Sequence, residues 1–303
     1  MQLQQTLRKE YSFEGKGLHT GRVARMTVCP APVDTGIIFR RTDLGEDAIV
    51  EALAENVSNT ARSTTISKGE ASVSTIEHIL SALTGMGVDN AYIDIDNVEV
   101  PILDGSAKPY IDAIWKDGFE QQDAPRRYIE LKETVEIVNE EKGSLVRIEP
   151  AEEFSYDIKV DFNSRVLGLQ NAQWDSSVLY AEEIGVCRTF VFFHEIEFLF
   201  NNGLVKGGDV DNAIVIVEHP VTEEQVLNMS RLFDIPALKV REDGYLSNLT
   251  LRFPNECARH KLLDLIGDLR LCGGFLKAKV TAEKAGHGIN TTAAKAVRLS
   301  SRA

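Results

Sequence analysis

The sequence predicts an α+β protein built as two halves, each a strand-rich layer with helices on one face. Three observations carry this. Alternation of apolar and polar residues, the period of a half-buried strand, recurs at "VARMTVC" (23 to 29), "AYIDID" (91 to 96), "YIELKETVEIV" (128 to 138), "FSYDIKVDF" (154 to 162) and "AIVIVEH" (213 to 219). Helical periodicity comes late in each half, at 74 to 86 and 106 to 117, then at about 195 to 202, 222 to 233 and 255 to 271, with a last helix after Asn290. Between these sets, the polar run "DGFEQQDAPRR" (117 to 127) offers a linker, so the expected domains are 1–122 and 123–303. The halves share no visible sequence repeat.

At 303 residues the chain suits one large domain or two average ones, and 43% hydrophobic residues can fill a core. Its net charge of -13, from 33 basic and 46 acidic residues with no Lys/Arg run, argues against a nucleic-acid binder. An anionic substrate then needs a local basic pocket. The first residues contain no apolar core behind a positive segment, and no run of about 18 apolar residues occurs, so a cytoplasmic protein without a membrane segment is expected. Cys29, Cys187, Cys257 and Cys272 stand far apart with no C-x-x-C, which favours reduced, buried thiols over disulfides or a thiolate zinc site.

The first helix opens with "STIEHILSAL". Ile76, Ile79, Leu80 and Leu83 fall at i, i+3, i+4 and i+7 and form its buried stripe, which turns His78 nearly opposite and Glu77 to the flank. "STIE" also fits a capping box, Ser74 as N-cap with Glu77 reaching back. From this stretch alone Glu77 is a cap or an active-site acid, and His78 a solvated ring or a ligand. In "NECARHKLLDLIGDLRL" (255 to 271) His260, Asp264 and Asp268 climb one side, opposite the leucines, with an imidazole and a carboxylate one turn apart. A strand then runs through "KVTAEKAGHGIN" into His287, whose flanking glycines allow a sharp turn and an accessible ring. His78, His260 and Asp264 together make a three-ligand set suited to zinc, with the fourth position left for water as hydrolytic sites require.

The stretches "GKGLHTG", "STIEHILSALTGMGVDN", "VPILDGSA", "CRTF", "ECARHKLLDLIGDL" and "AGHGIN", in this order over almost the whole chain, resemble the UDP-3-O-acyl-N-acetylglucosamine deacetylases of Gram-negative lipid A synthesis. The resemblance implies a two-domain sandwich with the helices of the two layers face to face, a small insert in each domain, and zinc, or iron(II) in the cell, in the cleft between them. Within it, His78, His260 and Asp264 match the metal ligands and Glu77 the general base. His287 matches the protonated imidazole that donates to the leaving amine, Asp268 the carboxylate that holds that ring, and Thr189 the hydroxyl that supports the oxyanion. Lys261 and Lys284 match basic positions that contact the UDP-sugar. Phe190 and Phe192, in the Phe-rich "FVFFHEIEFLF", sit where the second insert encloses the acyl chain, and there Val191 replaces a common glycine and Glu195 a common aspartate. His19 lies near the active site in relatives. His194 and His219 match no ligand and are read as surface residues, and Asp104 as an Asp-Gly turn residue. The implied partner is a small UDP-linked acyl-glucosamine, with neither nucleic acid nor membrane, and the chain could be fused to a downstream acyl-carrier-protein dehydratase domain. Two rival readings are an amidase with another substrate and a catalytically silent nucleotide-sugar or lipid binder.

Overall fold

The computed structural model describes residues 2–302 apart from 210, 233 and 237. Alternating burial along the strands assembles two principal sheets. In the first, Tyr11–Lys16, Val23–Pro30, Ala91–Ile95, Ile37–Arg41 and Ile49–Glu51 lie side by side in that order. In the second the order is Val135–Asn139, Ser144–Pro150, Phe275–Glu283, Ser155–Val160 and Gln170–Asp175, and Tyr128–Glu130 also pairs with Phe275–Glu283. Numbered along each half, both five-strand paths read 1-2-5-3-4, the fifth strand being antiparallel to the second and parallel to the third.

The helices among the described residues are α1 Glu77–Gly85, α2 Lys108–Ile114, α3 Tyr180–Glu183, α4 Phe193–Asn201, α5 Glu223–Leu232, α6 Glu256–Leu269 and α7 His287–Arg302. In each half one helix precedes the fifth strand (α1, α6) and another follows it (α2, α7). The halves therefore repeat one topology without a sequence repeat. Each also makes its excursion at the same point, between fourth strand and helix. The first is a three-stranded sheet of Val57–Asn59, Thr65–Lys68 and Ala71–Ser74. The second carries α3, α4 and α5 with the parallel pair Phe190–Phe192 and Ile214–Ile216.

The stripe on α1 is buried as its periodicity requires, but every residue from Glu77 to Thr84 is buried as well. The reason is α6, which lies across the other side of α1 and is itself buried at nearly every position. One continuous core joins Leu80 and Ile93 of the first half to Leu263 and Val280 of the second. Full burial of each such side chain is worth about 1.5–3 kcal/mol. The approach of the two helices depends on Gly267, where a Cβ would stand 2.0 Å from the Glu77 carbonyl oxygen.

Two expectations change here. Ser74 ends a strand, α1 begins at Glu77 behind Ile76 without a side-chain cap, and the Glu77 carboxylate instead accepts from the Thr64 N–H at 3.0 Å, so there is no capping box. The stretch expected as linker contains the strand Phe119–Pro125, paired antiparallel with Leu3–Leu7. Charged side chains tie this junction together. Arg126 pairs with Asp89 (2.8 Å) and lies 4.1 Å over the Phe275 ring, while Arg270 lies 4.3 Å from the same ring and donates to the carbonyls of Val88 and Asp89, each at 3.0 Å. Arg270→Met would leave two buried carbonyls unpaired, so urea unfolding should report a loss of about 2–4 kcal/mol.

The four cysteines are free and buried, as expected. No helix among the described residues is long and apolar enough to cross a membrane.

Candidate active site and metal centre

The N-terminus of α1 and the middle of α6, equivalent helices of the two halves, meet at the floor of a cavity of about 710 Å3. His78, His260 and Asp264 converge there, with one possible ligand atom from each lying within 4.8 Å of the others. The Asp264 Oδ1 is 3.7 Å from His78 Nε2 and 3.5 Å from His260 Nε2, and its Oδ2 is held by Lys261 Nζ at 2.7 Å. The tautomer of His260 follows from its neighbour. Its Nδ1 is 3.0 Å from the Cys187 carbonyl, which can only accept, so Nδ1 carries the proton and Nε2 presents its lone pair.

The electrostatics agree with a cation site. Burial, then the adjacent His260, pushes His78 down to about 3, and burial also lowers His260, so both rings are neutral at physiological pH. Burial alone would raise Asp264, but the charge of Lys261 leads the opposing effects that outweigh it and hold its carboxyl below the usual range. Two neutral imidazoles, each with one nitrogen lone pair to offer, and one carboxylate, all buried, form an N2O donor set that fits a divalent ion of the zinc type.

Beside this set stand a carboxylic acid and an imidazole, both with raised proton affinity. Burial raises Glu77 to about 7 against the opposing pull of His287. Burial alone would lower His287, but Asp268 and then Glu77 outweigh it and raise the ring to about 9. Its Nδ1 donates to Asp268 Oδ2 at 2.9 Å, which turns Nε2 toward Glu77 Oε1, 3.9 Å away. His287 is the first residue of α7, so the last helix starts three residues before the expected Asn290. The turn ahead of it falls on Lys284 at φ 48° rather than on the flanking glycines.

Sequence reasoning missed the residues that hold this constellation. Thr64 donates its N–H to Glu77 and its hydroxyl to Asp268 Oδ1 (2.5 Å), and Asn290 donates to Asp268 Oδ2 (2.9 Å). Glu256, at the start of α6, accepts from the Arg188 Nε (2.9 Å) and Nη2 (3.1 Å) in a buried pair and so ties "CRTF" to α6. None carries a local signal, because an uncharged or paired residue announces no chemistry by its spacing.

Thr189, Phe190 and Phe192 line the cavity and are half-buried, as do Lys261 and Lys284 at its polar side. Lys284 is engaged by Asp161 at 3.0 Å. His19 also lines the cavity, and burial lowers its pKa. His194 and His219 are exposed, their rings 5.8 Å apart, away from the metal ligands as expected. Asp104 accepts from the N–H and hydroxyl of Ser106, which is the turn role read for it.

Comparison with known proteins covers almost the whole chain. Residues 4–233 and 236–298 match the family described as UDP-3-O-acyl N-acetylglycosamine deacetylase. The chain is 42% identical to the bifunctional enzyme LpxC/FabZ of Porphyromonas gingivalis over 98% of its own length and 64% of the relative's. It is 40% identical to the UDP-3-O-acyl-N-acetylglucosamine deacetylase of Teredinibacter turnerae, over 95% of its length and 87% of the relative's. A deacetylase of the same name from Helicobacter hepaticus is 41% identical over 95% and 87%. The chain thus spans 64% of the length of each bifunctional relative it matches. With that match running from the first sheet to the last helix, the chain belongs to the UDP-3-O-acyl N-acetylglycosamine deacetylase family.

Proposed function

We propose that the protein hydrolyses the acetamide of UDP-3-O-(3-hydroxyacyl)-N-acetylglucosamine to the free amine and acetate, the committed step of lipid A synthesis. The observation that carries this reading, in a member of this family, is the pairing of a buried His2Asp donor set, its imidazoles neutral, with an adjacent carboxylic acid and imidazole whose proton affinities are both raised. When bound, a zinc-type ion supplies Lewis acidity, polarising a carbonyl and making water a stronger acid. Zinc is the preferred ion and iron(II) the alternative, since imidazole and carboxylate accept both.

The chain's own groups divide the proton work. Glu77 takes a proton from the attacking water and is fixed for it by the Thr64 N–H. His287, held cationic by Asp268, donates to the leaving nitrogen. Asp268 touches no substrate in this scheme and acts by orienting the ring. The Thr189 hydroxyl donates to the oxyanion that develops on the acetamide. Lys261 and Lys284 supply positive charge for the UDP-sugar, Lys284 after exchanging Asp161 for a phosphate, and Phe190 and Phe192 face the acyl chain. In this reading residues 1–122 bring Glu77 and His78, and residues 123–303 bring Thr189, His260, Asp264 and His287. The enzyme works in the cytoplasm of a Gram-negative bacterium.

Acetate release from the UDP-linked substrate by the metal-loaded protein tests the assignment. Release supports it; bound metal with no acetate from this substrate sinks it. The pH profile provides a second check. Glu77 acts ionised and His287 acts protonated, so kcat/KM should be bell-shaped, with the two apparent constants belonging to the coupled pair. The alkaline limb is expected near about 9. A divalent ion next to Glu77 pulls the acid limb below the value of about 7 that burial sets. His287→Gln should abolish the alkaline limb; an unchanged limb would remove His287 from the role of acid.

A further inference from the structure

The two excursions touch across the cavity mouth. Arg62, in the loop before Thr65–Lys68, meets Glu195 in the first turn of α4, with Nη2 2.6 Å from Oε1 and Nη1 3.3 Å from Oε2. This is the two-pronged geometry in which guanidinium and carboxylate fit best. Arg62 reaches it with φ 68°, a left-handed conformation that side-chain-bearing residues rarely adopt.

Behind the pair lies a second, apolar cavity of about 110 Å3, walled by Ile196, Leu199, Val215, Met229 and Leu246. Arg62 lines both cavities, together with Leu18, His19, Thr189, Phe190 and Val191, so these residues form the throat between them. The apolar space is smaller than the roughly 300–1,000 Å3 usual for ligand sites, so it must widen to take a long chain. The pair is the movable part of that throat. Its side chains are 46% and 26% exposed, so each charge can swing into water without being stranded, and an ion pair this exposed is held weakly.

We propose that the Arg62–Glu195 pair is a removable bar across the throat that makes the enzyme discriminate between acyl chains by length. A short chain fits in front of the closed bar. A long one reaches the apolar cavity only by displacing it. The inference rests on the deacetylase reading, which places an acyl chain in this cleft, and goes beyond it by naming the residues that set the length preference.

The test compares kcat/KM for acetate release from two UDP-N-acetylglucosamine substrates, one with a long and one with a short 3-O-acyl chain. Their ratio cancels whatever the nucleotide and sugar contribute. Glu195→Gln keeps the size and removes the charge, Arg62→Ala removes the partner, and the double variant measures their coupling. Each single variant should raise the long-to-short ratio about 2–5-fold, the range of a partly exposed pair, and the double variant should add little. Added salt should raise the ratio in the wild type but not in Glu195→Gln, because screening weakens only an intact pair. A ratio that stays level or falls in both single variants, with wild-type turnover present, overturns the bar alone. A wild type that releases no acetate from either substrate overturns the deacetylase reading, and the bar with it.

Discussion

Glu77→Gln should slow acetate release about 100-fold or more while the melting temperature stays level or rises. The loss follows from removing the one group beside the His2Asp set poised to take a proton. The stability follows from burial. Burial raises the folded pKa of Glu77 above its ordinary value of 4.5 to about 7. The stability it contributes is therefore present below the unfolded pKa and is lost as pH rises through the folded pKa. At pH 8 the native state bears a buried charge that glutamine does not carry, and the amide oxygen can still accept from Thr64. Parallel acetate assays and thermal melts decide the matter. A stability loss of about 0.5–2 kcal/mol with activity retained is what a capping residue would show, and would return Glu77 to that role.

His78→Ala should abolish tight metal binding and with it roughly 10³-fold or more of the rate, since Lewis-acid catalysis is worth several kcal/mol. His78 is the ligand to change because its neighbours lose least. His260 anchors the Cys187 carbonyl, and Asp264 neutralises the half-buried Lys261, so replacing either also disturbs the fold. Metal analysis of the purified proteins should find about one ion per wild-type chain and little in the variant. Chelation should inactivate the wild type, and readdition of zinc or iron(II) should restore it, while His78→Ala should recover with neither. Full metal occupancy in the variant would remove His78 from the ligand set.

Both variants test residues whose roles were readable only in part from their surroundings in the chain. Periodicity on α1 correctly identified Ile76, Ile79, Leu80 and Leu83 as core. It placed His78 toward solvent because a polar face normally means water. Here it means a second helix, and polar residues that meet across a helix pair to bind a metal leave the same pattern as residues that meet water. The Glu77 cap failed for the same reason, since the backbone N–H that its carboxylate accepts from belongs to Thr64, in the preceding excursion. On α6 the spacing of His260, Asp264 and Asp268 was legible, but their convergence with His78 came from motif resemblance, because a separation of 182 residues carries no local period. The repeated topology was invisible to identity for a related reason. Hydrogen-bond register and burial set the order 1-2-5-3-4 in each sheet, and many sequences satisfy them. The strand Phe119–Pro125 escaped notice because its residues are mostly exposed and its partner is at the other end of the first half.

Gly267 bears on how substrate can enter. At that point backbone meets backbone, with no side chain between the helices to act as a lubricant or spacer. A clamshell motion that parted the two halves would break this contact first, and would carry the Glu77 peptide away from the groups it must work with. The close contact therefore opposes a parting of the two halves, whereas an entry route past the two excursions, which meet at Arg62 and Glu195, leaves it in place.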